Sequence, residues 1–199
     1  LSIGGPLIDA GHEVELLDAD YYNYKIEVVA EKIIDNNPDV IMLGHSGSTS
    51  AQPIINEITK LVRQKNENIK IIIGGVFPTY HWKEILEDNP QIDFIVCGEG
   101  EEIVVNLIQA IENNTSIETI KGLALRINGV PLKTIQAENI RNLDDFRIGW
   151  ELIRLQLHIL GQTKGCCNSI FKRLPISLYL LWSELILEKM ATQKCKIPC

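Results

Sequence analysis

Two hydrophobic rhythms take turns along residues 1–153. Short, nearly continuous apolar runs at Asp39–Leu43, Lys70–Ile73 and Asp93–Cys97, and Glu13–Asp20 with apolar alternation at its start, predict β-strands. Between them the apolar positions recur every three or four residues. Lys25–Asn36 carries Ile26, Val29, Ala30, Ile33 and Ile34 on one face. Ala51–Lys65 carries Ile54, Ile55, Ile58, Leu61 and Val62, and Glu101–Glu112 carries Val104, Val105, Leu107, Ile108 and Ile111. These segments predict amphipathic helices. Trp82–Asp88 predicts a shorter one, and Leu1–Ala10 a helical piece ended by Gly11. Gly122–Ile127 and Val130–Thr134 flank Asn128-Gly129, a type I′ hairpin signal.

Strands that are apolar throughout have both faces covered. Alternated with helices, they predict a mostly parallel α/β sheet with helices on both sides and a C-terminal β-hairpin. In such sheets ligands lie outside the carboxyl ends of the strands, near the point where strand order reverses. The strand-end loops are therefore the candidate site.

Three of those loops are glycine-rich. The first is LGHSGSTS, with Gly44, His45, Ser46, Gly47, Ser48 and Thr49. The second is IIGGVFPTY, with Gly74, Gly75, Val76, Phe77, Pro78 and Thr79. The third is VCGEGEE, with Gly98, Glu99, Gly100 and Glu101. Glycine admits close backbone approach and positive φ. Hydroxyls ahead of a helix N-terminus suit a phosphate. Gly74 and Gly75 suggest a flat floor, with Phe77 and Tyr80 as walls. The competing reading is ordinary turn chemistry, with Glu99, Glu101 and Glu102 complementing a helix dipole. No G-x-G-x-x-G follows a strand and no Walker A loop is present. His45 and His81 are isolated candidate metal ligands, and His12 beside Gly11 is expected in an exposed turn.

Charge and composition exclude some partners. The net charge of -7 disfavours a nucleic-acid backbone. No apolar run reaches the roughly 20 residues of a membrane span. Five irregularly spaced cysteines argue against a disulfide framework and fit a reducing cytoplasm, with Cys97 a buried strand-end residue. No signal peptide opens the chain, and the lack of an initial Met suggests a fragment.

The stretches GGPLIDAGHEVELLDAD, PDVIMLGHSGSTS, IIIGGVFPTYHWKEILEDNPQIDFIVCGEGEE and KGLALRINGV together resemble the cobalamin-binding domain of B12-dependent radical SAM enzymes. LDDFRIGWELI further resembles their anaerobic magnesium-protoporphyrin IX monomethyl ester cyclase branch. The resemblance covers Leu1–Ile153. It implies a flavodoxin-like fold over residues 1–140, a linker at 141–153 toward a radical SAM domain, and cobalamin across the three loops. It also implies that the family's opening strand is missing, leaving a gap between Glu13–Leu17 and Asp39–Leu43. No D-x-H-x-x-G motif supplies an axial histidine, and no C-x-x-x-C-x-x-C motif supplies a 4Fe–4S site. The cluster and S-adenosylmethionine are thus expected in an intact relative, and the chain alone is expected to be inactive.

Residues 154–199 break the pattern. They carry a net charge of +5 against −12 for the first 153, and no amphipathic period persists. Read one base forward with permitted codons, Leu157–Lys196 can spell the missing C-x-x-x-C-x-x-C motif. Trp182 then must give Gly, and Met190 before Ala191 must give Trp. The expectation is an out-of-frame, irregular tail. Two other functions stay open: a non-catalytic flavodoxin-like module for a protein or small nucleotide, with Asp18 and Asp20 as a possible acidic pair, or a frameshifted product without function.

Overall fold

The computed structural model describes residues 1–45, 47, 51–153 and 177–181. Six strands lie in the first 153 residues: β1 (Glu13–Leu17), β2 (Val40–His45), β3 (Lys70–Gly75), β4 (Phe94–Val96), β5 (Leu123–Ile127) and β6 (Val130–Lys133). A seventh, β7 (Ser177–Leu181), comes from the C-terminal region. The helices are α1 (Gly4–Asp9), α2 (Ile26–Asn36), α3 (Ala51–Lys65), α4 (Val76–Asp88) and α5 (Glu101–Glu112). Together they form one sheet in the order β1-β7-β2-β3-β4-β5-β6. Strands β1, β7, β2, β3 and β4 run parallel, while β5 and β6 form the antiparallel hairpin at one edge.

The two-residue period of a strand sends alternate side chains to opposite faces. Ile41 and Leu43 of β2, with Ile71 and Ile73 of β3, meet Val29 and Ile33 of α2, Ile55 and Ile58 of α3, and Ile85 of α4. Val40, Met42 and Ile72 point the other way and meet Leu7 of α1 and Ile103, Val104, Leu107 and Ile108 of α5. This two-sided burial is why the strands read as uninterrupted apolar runs. Each fully buried aliphatic side chain contributes about 1.5–3 kcal/mol relative to exposure. The hairpin turns at Asn128 and Gly129, with φ of 52° and 81°, as a type I′ turn requires.

Three expectations change. The slot between β1 and β2 is not empty. β7 fills it in parallel register, with Leu178 opposite Val14 and Val40, and Leu180 opposite Leu16 and Met42. Five residues of the expected irregular tail therefore form a central strand. The slot presents unpaired backbone groups on both sides, and any apolar extended segment of the same chain that reaches it satisfies them. The rest of 154–199 lies outside the described residues.

The helix expected at Trp82–Asp88 begins six residues earlier, at Val76. It is kinked at His81, whose φ of -109° and ψ of 22° leave the helical region. Pro78 sits in its first turn, where no backbone donor is needed. Finally, His12 is buried rather than in an exposed turn. Gly11, with φ of 94°, ends α1 and folds the chain back so that the His12 amide donates to the Leu7 carbonyl.

Arginine ties the opposite end of the sheet together. The Arg63 guanidinium donates to the carbonyls of Glu67, Ile69 (2.9 Å) and Gln91 (2.9 Å) and pairs with Asp93 at 2.6 Å. Asp93 also accepts the Ile71 amide at 2.8 Å. Arg126 donates to the carbonyls of Leu86, Pro90 and Ile92. Carbonyls of the connecting loops and of the last turn of α4 are thus bound by two planar donors.

Candidate cofactor site

Strand register brings the glycines together. Gly44 stands opposite Gly74, His45 opposite Gly75, and Gly74 opposite Val96. The last turns of β2 and β3 are therefore a strip of backbone with no side chain above it. Beside it, Gly98–Gly100 leads from β4 into α5. The three loops open on one cleft of about 520 Å³ at the carboxyl end of the sheet. Gly44, His45, Gly74, Gly75, Val76, Gly98, Glu99, Gly100 and Glu101 line it, and its deeper wall is apolar, from Leu16, Met42, Ile72, Val96 and Val104. Leu1, Ser2 and Ile3 close one side.

The glycines do different work. Among the described residues, nothing lies within 4 Å of a Cβ built on Gly44 or Gly98, so both face open room. Gly75 has φ of 106°, and a Cβ there would overlap the His45 backbone. Its conformation is what lets β3 turn into α4 against β2. Gly47, also at positive φ, does not line the cleft. Its amide donates to His45 Nδ1 at 3.2 Å.

Phe77, Pro78 and Thr79 stand behind the rim. Phe77 is packed on the core and lies between two imidazoles, with its ring centroid 4.6 Å from His45 and 4.3 Å from His81. Pro78 is buried. The Thr79 hydroxyl accepts the Gly98 amide at 3.0 Å and donates to the Gly75 carbonyl at 2.8 Å, joining the second loop to the third. Tyr80 is 77% exposed and stands free of the lining. Ser46, Ser48 and Thr49 lie outside the described residues.

His45 is almost wholly buried. Because Nδ1 accepts a hydrogen bond, the neutral ring carries its proton on Nε2, and Nε2 is buried with no partner among the described residues. Burial pulls its pKa below the ordinary value, partly opposed by a hydrogen bond to its own backbone. The ring is therefore neutral at pH 7. The Glu99 carboxylate accepts the amide of Ile140, and Glu101 and Glu102 occupy the first turn of α5. Asp18 accepts the Tyr21 amide at 2.9 Å, as a turn residue does. Among the described residues no three His, Cys, Asp or Glu side chains are grouped to hold a metal. No helix among them is long and apolar enough to cross a membrane.

The apolar depth of the cleft was not named from the sequence. Its signal was there in the parity of β2 and β3: Met42 and Gly44, and Ile72 and Gly74, must share one face. Leu1–Ile3 had no local signal.

Residues 1–108 match the B12 binding domain. The chain belongs to the B12-binding domain family. It is 47% identical over 180 residues to the anaerobic magnesium-protoporphyrin IX monomethyl ester cyclase of Synechocystis sp., covering 84% of this chain and 36% of that protein. It is 32% identical over 161 residues to the Cereibacter sphaeroides protein of the same name, covering 78% of this chain and 26% of that one. The B12-binding chain thus spans about a third of the length of these relatives or less. Among solved structures, the radical S-adenosylmethionine methyltransferase TsrM from Kitasatospora setae, with cobalamin and a 4Fe–4S cluster bound, superposes with a TM-score of 0.61 over 71% of this chain at 20% identity. That likeness supports the fold.

Proposed function

We propose that this B12-binding chain holds cobalamin on the glycine strip, with the nucleotide tail of the cofactor in the cleft and the corrin across its rim. One observation carries the reading. Among the described residues, nothing fills the room above Gly44 and Gly98 at the end of a parallel sheet, in a chain whose first 108 residues match the B12 binding domain. A corrin and its tail need a flat, side-chain-free approach and an apolar slot, and both are present.

When bound, cobalamin supplies a cobalt centre able to carry a methyl group or an electron. The chain's own residues orient it. Gly74 and Gly75 set the floor, and Thr79 fixes the spacing of two loops. The N-terminus of α5, at Glu101, would offer its dipole to a polar edge. In the longer relatives such a module would serve a radical SAM unit that binds a 4Fe–4S cluster and S-adenosylmethionine, in a cyclase or a methyltransferase. Residues 141–153 would lead toward that unit, and an out-of-frame reading of 154–199 would account for the absence of its cysteine motif. A reducing cytoplasm would suit Cys97, which is buried and has no disulfide among the described residues.

The test is hydroxocobalamin added to the full chain, since β7 is part of the sheet. A shifted visible spectrum and co-elution on gel filtration are expected. A chain that is folded by circular dichroism yet releases all cobalamin on the column would refute the proposal and favour a module for another ligand.

A further inference from the structure

The segment after the hairpin runs back across the molecule and touches two walls of the cleft from outside. At its start, the Ile140 amide donates to the carboxylate of Glu99, which lines the cleft. At its end it crosses α1. The Gly149 amide donates to the Leu1 carbonyl at 3.1 Å, and Arg147 reaches Asp9 through Nε at 2.9 Å and Nη2 at 2.8 Å. The crossing is backbone on backbone. A Cβ on Gly5 would overlap the Arg147 carbonyl, and one on Gly149 would stand 2.9 Å from the Gly5 nitrogen. Glycine in a helix is about 1 kcal/mol less favourable than alanine. Gly5 is buried in α1, where an alanine Cβ would not fit.

What α1 carries forward is the cleft wall. Leu1, Ser2 and Ile3 line the cleft, and the Ile3 side chain lies 3.2 Å from a Cβ built on Gly100. Leu152, three residues past the Gly149 crossing, packs on the core cluster that includes Leu7 of α1 and Leu107 of α5. The segment therefore holds both the N-terminal wall and the Glu99 loop, without itself entering the cleft.

We propose that residues 140–152 are a strap that sets the width of the cofactor cleft, with Gly5 and Gly149 as its positioning residues. Tension on the chain beyond Ile153 then reaches the cleft through Leu1–Ile3 and Glu99. The inference rests on the cofactor reading for the identity of the ligand, but not for the coupling. Linkage makes the coupling reciprocal: whatever the strap contributes to cofactor affinity, the bound cofactor returns as protection of the strap.

The experiment compares the full chain with Gly5→Ala and with Arg147→Asp, an exposed change at the same crossing. Hydroxocobalamin affinity and amide exchange are measured for each. Both variants are expected to bind hydroxocobalamin about tenfold more weakly. Exchange should rise at Gly149 and Ile140 and also at Gly98 and Val104 in the cleft wall. Hydroxocobalamin should slow exchange at Gly149 in the unmodified chain. Because Arg147 also pairs with Glu151, the charge swap Asp9→Arg with Arg147→Asp is made together with Glu151→Gln, and it should restore both readouts, which a general loss of fold would not allow. A strap released at Gly149 with unchanged affinity and unchanged exchange at Gly98 and Val104 overturns the proposal. If no form binds hydroxocobalamin, the cofactor reading fails, and the ligand-free exchange at Gly98 and Val104 decides the strap.

Discussion

Gly44→Val separates stability from binding. Gly44 is a strand residue with ordinary φ, and nothing among the described residues lies within 4 Å of an added Cβ. Glycine in a strand is less favourable than alanine by about 0.5–1 kcal/mol, and valine suits a strand better still. The variant should therefore gain about 0.5–1 kcal/mol, raising Tm by roughly 2 °C for a chain of this size. The same isopropyl group projects into the cleft from the centre of the glycine strip. A ligand resting there must shift, at a penalty of about 1–3 kcal/mol by analogy with overpacked cores. That is roughly a five- to hundredfold loss of hydroxocobalamin affinity. Thermal unfolding followed by circular dichroism reads the first effect, and a visible absorbance titration reads the second. A variant at least as stable as the unmodified chain that binds hydroxocobalamin equally well would show that the cofactor does not lie over Gly44. A less stable one would show that the room above Gly44 is not open.

Gly75→Ala should behave oppositely, losing about 2 kcal/mol or more in urea titration, because φ of 106° and the His45 backbone leave no place for a methyl group. Thr79→Val keeps shape but removes the hydroxyl between Gly98 and Gly75; a stability loss of about 1 kcal/mol and a several-fold weaker hydroxocobalamin complex are expected, read by the same titrations. Arg63→Met should lower stability by about 3 kcal/mol, since Asp93 and three carbonyls lose their donor, and Arg63→Lys should recover little of it because one ammonium cannot span the fork. The pH profile follows from two buried histidines. Burial lowers the pKa of His12, with Glu112 partly opposing it, and burial lowers that of His45. The unfolded chain takes up these protons near 6.5 while the folded chain does not, so stability is whole above 6.5 and declines as pH falls from there toward the lowered folded values. Urea midpoints across that range check it, and His12→Leu should flatten the slope.

Sequence periodicity accounted for most of the framework because each signal is local. A strand buried on both faces must be apolar throughout, as Val40–Leu43 and Ile71–Ile73 are, and α3 must repeat its aliphatic residues every turn. Asn128-Gly129 names its own turn. The glycine loops were legible for the same reason, since a missing side chain is visible in one dimension, and register then placed Gly44 beside Gly74.

Long-range packing decided the rest. His12 is buried because Gly11 turns the chain under α1, a relation between elements that no dipeptide encodes. Phe77, expected as a wall of the site, instead faces the core between His45 and His81, because α4 starts at Val76 and rotates it there. The occupant of the slot between β1 and β2 comes from more than 130 residues further along the chain than β2. Parallel pairing has no short-range signature: its partners are joined by long crossovers, and the hydrogen bonds that select them form between backbones whose side chains say only that they are apolar.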